Sequence, residues 1–357
     1  MKILQILPRV PPAVCGIGDY GWLLARELRE AHDIHSTFLA AGTSWTPPEG
    51  QTEFPVHRLP ERTTEALVAF METRRNDFDA VVLHLSPYGY QKRGVPFWLA
   101  RAWRQLAQLP DRPRLLTMFH ELYASGPVAS SAFWLQPLQK QVLRTVARAS
   151  DALRTNRQAY AEWLEKAAGS KVTTMPVFST LGEPKVLPSW AEREPAMAMF
   201  GWGIHSGESL EELTRKALAC CRRFGLQRLH LIGGQGPADV ETPGVDIVRH
   251  GFLEAANMAR LLTSCRMAYT AYSPLHFGKS TLVAAFAAHG LLLITQGASP
   301  VLPDGLEHGR HVLHESLLDA AWGQEWLETI GHALRQWYDE HSLARTAMSY
   351  ADQLKSG

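Results

Sequence analysis

Short apolar runs alternate with longer segments of helical period from the first residues onwards, and this alternation constrains the fold most. The apolar runs have the length of buried strands, and the segments between them have the length of helices that cover a sheet. In the first half we predict strands at 3–7, 34–39, 80–84, 114–119 and 152–155, with helices at 20–31, 97–107 and 133–149. A repeated strand–helix order is typical of parallel sheets, so the predicted fold class is α/β.

The alternation restarts after an interruption, which indicates a second domain of the same kind. Residues 176–195 contain four prolines, one glycine and several charges without periodicity, and this composition predicts a linker. Further strands are predicted at 196–200, 228–232, 245–248, 267–270 and 291–294, with helices at 210–224, 255–262 and 281–289. We therefore predict domains at 1–180 and 196–335, and a C-terminal helix at 336–357 that packs back on the first. A chain of 357 residues suits two such domains.

Charge and cysteine content exclude several classes of function. Lys and Arg number 36 against 35 Asp and Glu, so the chain has no overall field for a polyanion and we expect no nucleic acid partner. The four cysteines form no CxxC pair and two are adjacent, which suits neither a metal site nor a disulfide framework. The first apolar run ends at Pro8, too early for a signal peptide, and the stretch 281–295 is too short to span a membrane. We therefore expect a cytoplasmic protein without a bound metal.

Candidate site residues of the first domain follow its predicted strands, because ligands of parallel α/β units bind beyond the carboxyl ends of strands. Gly16, Gly18 and Asp19 lie between the first strand and its helix, where backbone N–H groups could face a diphosphate. The alternative is a tight turn in which Asp19 caps the helix. His120 and Glu121 follow the strand 114–119 and could serve a sugar. Their alternative is a core histidine beside a surface glutamate.

Glycines follow the strands of the second domain as well. Gly201 and His205 come after its first strand, where glycine permits close approach of a ligand to the backbone. Gly233, Gly234 and Gly236 come after the next strand and could border a nucleobase. A simple strand-to-helix turn explains either segment alone. The two segments indicate a binding site only because both occur at the same edge of one sheet.

The segment 277–281, Phe-Gly-Lys-Ser-Thr, leads directly into a small apolar helix. Lys279, Ser280 and Thr281 bring an ammonium group, two hydroxyls and free N–H groups to one helix N-terminus, which favours an anion site. The segment differs from a P-loop, because Ser273 stands where that motif has its first glycine. A phosphotransferase built on Lys279 is therefore a remote alternative. The simpler alternative is that Ser280 only caps the helix and Lys279 is solvated.

In their order along the chain, these motifs resemble the retaining glycosyltransferases of family 4. The resemblance covers nearly the whole chain and implies the GT-B fold, two Rossmann-like doubly wound domains facing a cleft. Segment 16–20 is similar to that family's glycine loop near the donor diphosphate, and segment 119–121 to its histidine motif near the transferred sugar. Segments 231–236 and 249–253, the latter with Phe252, are similar to parts of its donor-binding domain. The resemblance implies a hexosyltransferase-like enzyme of polysaccharide biosynthesis whose UDP- or GDP-linked donor is a substrate, with no separate cofactor.

The chain also departs from the family's pattern. Family members carry two glutamates separated by seven residues near the helix that here ends at His289-Gly290, and the second of these positions falls on Ala285. The region of the first, 275–278, contains no acid, and 202–209 contains none of the basic residues usual there. A leaving nucleoside diphosphate still needs charge compensation, for which Lys279 and the helix dipole are available.

Two chemistries and one non-catalytic function remain open. The resemblance implies transfer with retention and without an essential metal, to a glycan, lipid-linked or small-molecule acceptor, with His120 holding the sugar. An inverting reaction would need Asp19, His120 or Glu121 as a base. The alternative function is a degenerate GT-B protein that binds a nucleotide or glycan without turnover. The basic and aromatic segment 91–104 could contact the inner face of a membrane or a lipid-linked acceptor, but a helix with one face in the core is the favoured interpretation.

Overall fold

The chain divides into two units in the computed structural model, which describes residues 1–42, 52–201, 208–233, 243–296, 302–317 and 322–356. Unit 1 comprises Met1–Met175 and Leu343–Gly357, and unit 2 comprises Pro176–Ser342. The chain leaves unit 1 at Met175 and returns to it at Leu343, so unit 1 contains both termini.

Unit 1 is built on a parallel sheet with the strand order β3-β2-β1-β4-β5-β6-β7. Its strands are β1 (Lys2–Leu7), β2 (His35–Ala40), β3 (Val56–Arg58), β4 (Ala80–Leu85), β5 (Arg114–Phe119), β6 (Ala152–Thr155) and β7 (Val172–Thr174). The helices between them are α1 (Gly16–His32), α2 (Thr64–Thr73), α3 (Pro87–Tyr90), α4 (Phe97–Leu106), α5 (Ser131–Arg148) and α6 (Gln158–Ala168). The strand order reverses between β1 and β4, and such a switch point opens a crevice at the carboxyl ends of the strands.

The central strands of unit 1 are apolar because helices cover both faces of the sheet. Every residue of β4 is buried, and so is every residue of β1 after Lys2. Gln5 and His84 are fully buried polar residues within these strands, and such groups require hydrogen-bond partners. Trp103 of α4 is also fully buried and its Nε1 donates to Ser150 Oγ at 3.0 Å, so this part of the segment 91–104 is a core helix.

Unit 2 contains a second parallel sheet with the order β10-β9-β8-β11-β12-β13. Its strands are β8 (Glu194–Phe200), β9 (Arg228–Ile232), β10 (Asp246–Gly251), β11 (Cys265–Thr270), β12 (Leu292–Thr295) and β13 (Leu313–His314). Its helices are α7 (Leu210–Arg223), α8 (Ala255–Ser264), α9 (Thr281–Ala288) and α10 (Gln324–Asp339), with a 3-10 helix at Pro274–Lys279. The switch point lies between β8 and β11, so the segment after β11 reaches the crevice of this unit.

The last helix, α11 (Leu343–Lys355), belongs to unit 1 and packs against α1. Arg154 of β6 is 2% exposed and fastens this helix. Its guanidinium donates to Ser349 O at 3.1 Å, to Ser349 Oγ at 2.9 Å and to Gln353 Oε1 at 2.8 Å. It also lies 4.0 Å from the centroid of the Tyr350 ring. A buried charge is stable only with such partners, so α11 is a structural part of unit 1.

The α/β class with two parallel sheets is confirmed, and the strands 114–119, 152–155 and 228–232 begin and end where predicted. The strands β3 and β7 and the helices α2 and α6 were not predicted from the sequence. The two strands lie at the edges of the sheet and have only three residues each, without a buried apolar run. The predicted loop at Gly16–Gly18 is wrong, because α1 already begins at Gly16. Residues 324–339 and 343–355 form two helices, α10 and α11, which belong to different units.

Candidate functional site

A chain of buried hydrogen bonds ends at His120 in unit 1. His120 Nε2 lies 3.0 Å from Nδ1 of His84, and His84 Nε2 lies 2.8 Å from Oε1 of Gln5. The amide nitrogen of Gln5 in turn donates to Ser36 Oγ at 2.9 Å. Ser36 is 4% and His120 6% exposed, and the two groups between them are fully buried. These four side chains connect β2, β1, β4 and the end of β5 across the switch point.

The direction of these bonds fixes the tautomer of His120. Because Gln5 donates through its nitrogen to Ser36, the oxygen of the amide faces His84 and must accept a proton from Nε2 of that ring. His84 Nδ1 is then unprotonated and accepts from His120 Nε2–H. His120 therefore carries its proton on Nε2 and leaves Nδ1 with a lone pair. This nitrogen can accept a hydrogen bond from a ligand hydroxyl.

Both imidazoles are neutral at physiological pH. Burial lowers the pKa of His120 to about 4, against a smaller opposing effect of the Glu121 carboxylate. Burial, and then the neighbouring His120, lower the pKa of His84 well below its usual range. Protonation of His84 at Nδ1 would also put two N–H groups face to face in the chain of hydrogen bonds. Neutral His84 is thus favoured by burial and by geometry, and neutral His120 by burial.

Helix α1 brings Tyr20 against these rings. The Tyr20 ring meets His120 edge-on, with centroids 5.0 Å apart and planes at 84°. The approach depends on glycine, since a Cβ at Gly21 would lie 2.7 Å from Leu7 Cδ2 and one at Gly18 would lie 2.5 Å from Arg9 O. Gly18 and Gly21 therefore serve packing of the helix on β1 and its loop. At Gly16, by contrast, a Cβ would meet no atom within 4 Å.

Two carboxylates of the predicted site lie at the same edge of unit 1. Asp19 is in the first turn of α1 and is half-buried, and burial raises its pKa above the usual range. Asp19 does not cap the helix, because the N-cap position is Cys15, which makes no side-chain capping bond. Glu121 is half-buried and accepts a hydrogen bond from Ser86 Oγ at 3.0 Å. Glu121 comes two residues after the end of β5, whereas Asp19 lies inside α1 and not in a loop before it.

A cavity of about 220 Å³ lies at the switch point of unit 2. It is bounded by the ends of β8 and β11, by α7 and by the first turns of α9. Its described lining consists of Met199, Phe200, Leu213, Tyr269, Thr270, Ala271, Tyr272, Lys279, Ser280, Thr281, Leu282 and Phe286. The structure thus brings the predicted residues Lys279, Ser280 and Thr281 together in one cavity.

The N-terminus of α9 faces this cavity with its cap already formed. Ser280 Oγ accepts from the Val283 N–H at 3.2 Å, so the serine caps the helix. The N–H groups of Thr281 and Leu282 have no acceptor inside the helix. Lys279 is half-buried at the same wall, and the described lining contains no carboxylate. Helix dipole and ammonium group therefore make this wall of the cavity positive.

The glycines after β8 and β9 have a packing role. A Cβ at Gly201 would lie 2.5 Å from Gly233 O, and Gly233 itself has φ +73°. Gly233 N–H donates to Gly251 O at 2.6 Å, so three successive strand ends meet closely. Phe252, the next residue, is 77% exposed and is not in the described lining of the cavity.

Three predicted donor-binding residues, His205, Gly234 and Gly236, lie outside the described residues. Ala285, where the family's second glutamate is expected, is fully buried in α9, and its carbonyl accepts from His289 Nδ1 at 2.7 Å. Among the residues that the structure describes, no group of His, Cys, Asp or Glu is placed to hold a metal ion.

Sequence reasoning missed the aromatic lining of the unit 2 cavity and the hydrogen-bond chain behind His120. Tyr269 and Phe286 lie in a strand and a helix that the sequence marks only as apolar core. Gln5 and His84 did leave a signal, because each is a polar residue inside an otherwise apolar strand.

No protein-family model matches the chain, and no curated protein matches its sequence. Solved structures do match over the whole length. TarM covers 99% of each chain with a TM-score of 0.66 at 8% identity. An alpha-glucosyltransferase in complex with UDP covers 100% of each chain, with a TM-score of 0.60 at 10% identity. A UDP-N-acetylglucosamine 2-epimerase from Listeria monocytogenes covers 99% of this chain and 96% of its own, with a TM-score of 0.62 at 13% identity. At these identities the likeness establishes the fold, which is that of the GT-B glycosyltransferases.

The prediction that excluded nucleic acid partners is wrong. An alpha-glucosyltransferase that the chain matches with a TM-score of 0.58 was solved with UDP and a 13-mer DNA. Net charge close to zero was an insufficient argument, because a local basic surface can hold a polyanion on a neutral chain. No helix in the described part of the chain is long and apolar enough to cross a membrane, and peripheral contact with a membrane stays a prediction.

Proposed function

We propose that the chain is a glycosyltransferase, hexosyltransferase-like, that transfers a sugar from a UDP- or GDP-linked donor with retention and without an essential metal. The observation that supports this most is the unit 2 cavity at the switch point between β8 and β11. It combines an aromatic and apolar lining with Lys279 and the N-terminus of α9. Nucleotides bind at such positions of doubly wound sheets, with phosphate groups at a helix N-terminus.

In this proposal the positive wall of the cavity receives the donor diphosphate. The N–H groups of Thr281 and Leu282 donate to its oxygens, and Lys279 neutralises the charge that grows as the diphosphate leaves. Ser280 contributes by capping the helix and so fixing the direction of these N–H groups. The chemistry needs stabilisation of the leaving group, and this wall supplies it without a metal ion.

Unit 1 supplies the groups that handle the transferred sugar. The lone pair on His120 Nδ1 accepts a hydrogen bond from a sugar hydroxyl. With a pKa of about 4 this imidazole is a weak base at neutral pH. That supports retention, in which the leaving phosphate takes the acceptor proton. An inverting reaction would fall instead to Asp19 or Glu121, of which Asp19 has a raised pKa.

One observation favours a second candidate, a GT-B protein that binds its nucleotide without turnover. The described lining of the unit 2 cavity contains no carboxylate to fix the donor ribose, and the position expected for one is the buried Ala285. Hydroxyl groups of the lining would then hold the nucleotide without orienting it for transfer.

The donor site is tested by thermal shift of the purified protein with UDP, GDP, ADP and their sugar conjugates. Ligands that bind only the folded state raise its melting temperature. We expect one nucleoside diphosphate family to stabilise the protein and Lys279→Ala to lose at least about tenfold in affinity, since a charge-assisted phosphate contact is worth about 1.5–3 kcal/mol. Lys185→Ala, an exposed lysine of the same unit, is the matched control and should bind as the wild type does.

Turnover separates the two candidates. Release of nucleoside diphosphate from the stabilising sugar conjugate, followed by NMR of the product anomer, establishes both activity and stereochemistry. Binding without release from any conjugate supports the non-catalytic protein. Absence of a shift with every nucleotide would refute both.

A further inference from the structure

Unit 1 contains a wide groove of about 1210 Å³ at the carboxyl ends of β2, β3 and β4. It is distinct from the His120 cluster, and no residue of the proposed donor site lines it. Six of its thirteen described lining residues are cationic or aromatic, namely Arg58, Arg62, Lys92, Arg93, Tyr88 and Trp98. The described lining contains four cationic side chains and one carboxylate, that of Glu61, so it carries an excess of positive charge.

These cations are available to a ligand. Arg58, Lys92 and Arg93 are exposed, and no described carboxylate forms an ion pair with any of the three. By contrast, Arg26 and Arg29 of unit 1 form ion pairs with Glu53 at 2.7 and 2.8 Å. The basic groove therefore keeps a local field that the near-neutral chain as a whole lacks.

The buried side-chain amide of Gln139 holds the turn that contains Lys92 and Arg93. Gln139 is fully buried, and its Nε2 donates to Arg93 O at 2.9 Å and to Tyr88 Oη at 3.1 Å. Its Oε1 accepts from the Ala124 N–H at 2.9 Å, so the amide is held on both sides. Arg93 has φ +74°, an unfavourable conformation for a non-glycine residue that persists only where surrounding contacts impose it.

We propose that the basic groove binds an acceptor that is a chain of phosphodiesters. The proposal names the acceptor class of the transferase and rests on that function. Guanidinium groups match phosphate oxygens in pairs, and three of the four cations are arginines. The groove is too large for a single phosphate, and Tyr88, 46% exposed, offers an aromatic face for a ring between successive phosphates.

The test measures binding directly, without a donor. A fluorescent single-stranded oligothymidylate of about ten nucleotides and an abasic strand with the same phosphates are titrated by anisotropy at several salt concentrations. Both strands should bind, and the double variant Arg58→Gln/Lys92→Gln should bind at least about tenfold more weakly at low salt. Losing two phosphate contacts should also lower the slope of log affinity against log salt by about 1.4. The control Arg104→Gln/Lys171→Gln changes two exposed cations of unit 1 outside the groove and should behave as the wild type does.

Three results would overturn the proposal. One is that strand binding weakens equally in the groove variant and in its control, which would mean that the strands bind through the general surface charge and not in the groove. Another is binding to phosphatidylglycerol vesicles without binding to either strand, which would make the groove a membrane contact. The third is equal binding of a carboxylate polymer such as alginate, which would remove the preference for phosphate.

The outcome is separable from that of the proposed function. The nucleotide thermal shift should be unchanged in Arg58→Gln/Lys92→Gln, because neither residue lines the unit 2 cavity. Strand binding in a protein that no nucleotide stabilises would support the groove and refute the transferase. Nucleotide binding without strand binding would refute the proposed role of the groove and leave the donor site in place.

Discussion

At the level of single residues, the chemistry of His120 depends on side chains that lie behind it in the sheet. Gln5 orients His84, and Nδ1 of His84 accepts a hydrogen bond from the Nε2–H of His120. Neither needs to touch a ligand, so we regard both as positioning residues. The sequence showed that Gln5 and His84 were unusual strand residues, but not that they meet. That contact depends on strand register, which places His84 opposite Met118 and so beside the end of β5.

The burial of His120 makes stability depend on pH. Its folded pKa of about 4 lies below the value of about 6.5 in an unfolded chain, so between these values the unfolded state binds more protons. This contribution is therefore fully present above pH 6.5 and is lost as the pH falls towards 4. We expect wild type to lose more unfolding free energy than His120→Gln over this range, by an amount on the order of 3 kcal/mol. Denaturant titrations of both proteins at several pH values measure the difference.

His120→Gln is a suitable partner for this comparison, because its amide can still donate to His84 Nδ1 and does not titrate. Acid-sensitive groups distant from His120 are common to both proteins and cancel in the difference, whereas His84, which contacts His120, contributes to it. Nitrogen NMR of the wild type provides an independent check, in which His120 should be the Nε2–H tautomer. Equal pH slopes, or the Nδ1–H tautomer, would contradict the hydrogen-bond chain.

At the level of elements, α9 shows what local sequence can predict and α1 shows what it cannot. Ser280 as cap and Gly290 beyond the last turn, with φ +65°, are local signals, and the predicted helix differs from the observed one by a single residue. Two glycines in the first turn of α1 argue locally for a loop. Tertiary packing decides otherwise, because only glycine at position 18 lets the helix approach Arg9 O.

Ser280 allows capping and ligand binding to be separated. Asn and Asp both cap helices well, so Ser280→Asn and Ser280→Asp should each keep stability within about 1 kcal/mol of wild type. Only Asp places a negative charge on the positive wall of the cavity. We therefore expect Ser280→Asp to weaken nucleoside diphosphate binding at least about tenfold relative to Ser280→Asn, a difference of about 1.4 kcal/mol. Calorimetric titration with the stabilising nucleotide measures this.

If both variants bind equally, the N-terminus of α9 does not receive the phosphates, and the capping role of Ser280 is its whole function. If both lose stability together, the substitutions disturb packing and the comparison moves to Ser280→Gly, which should cost only a few tenths of a kcal/mol.

At the level of the whole molecule, the sequence predicts two parallel sheets because each unit repeats the same alternation of strand and helix. It places the candidate ligand groups at strand ends for the same reason. The basic groove was not predicted, because Arg58 and Arg62 lie on a short edge strand and its loop, which carry no motif, and their proximity to Lys92 is set by tertiary structure.

The two units make distinct contributions that a truncation should separate. Removal of residues 343–357 takes away the partners of Arg154, which is 2% exposed, and uncovers the face of α1 that packs on α11. The truncation also removes the buried Tyr350, Ala351 and Leu354 of α11 and exposes the apolar surface that they cover, so unit 1 should lose stability. Unit 2 ends before the truncation, and its cavity lining is intact. Differential scanning calorimetry should therefore show a transition at lower temperature that nucleotide does not raise, and a second one that it still raises. Arg154→Met removes the charge and keeps α11, so it should lower the melting temperature of the first transition less than the truncation does. If the truncated chain showed no nucleotide shift, unit 2 would not bind its ligand alone.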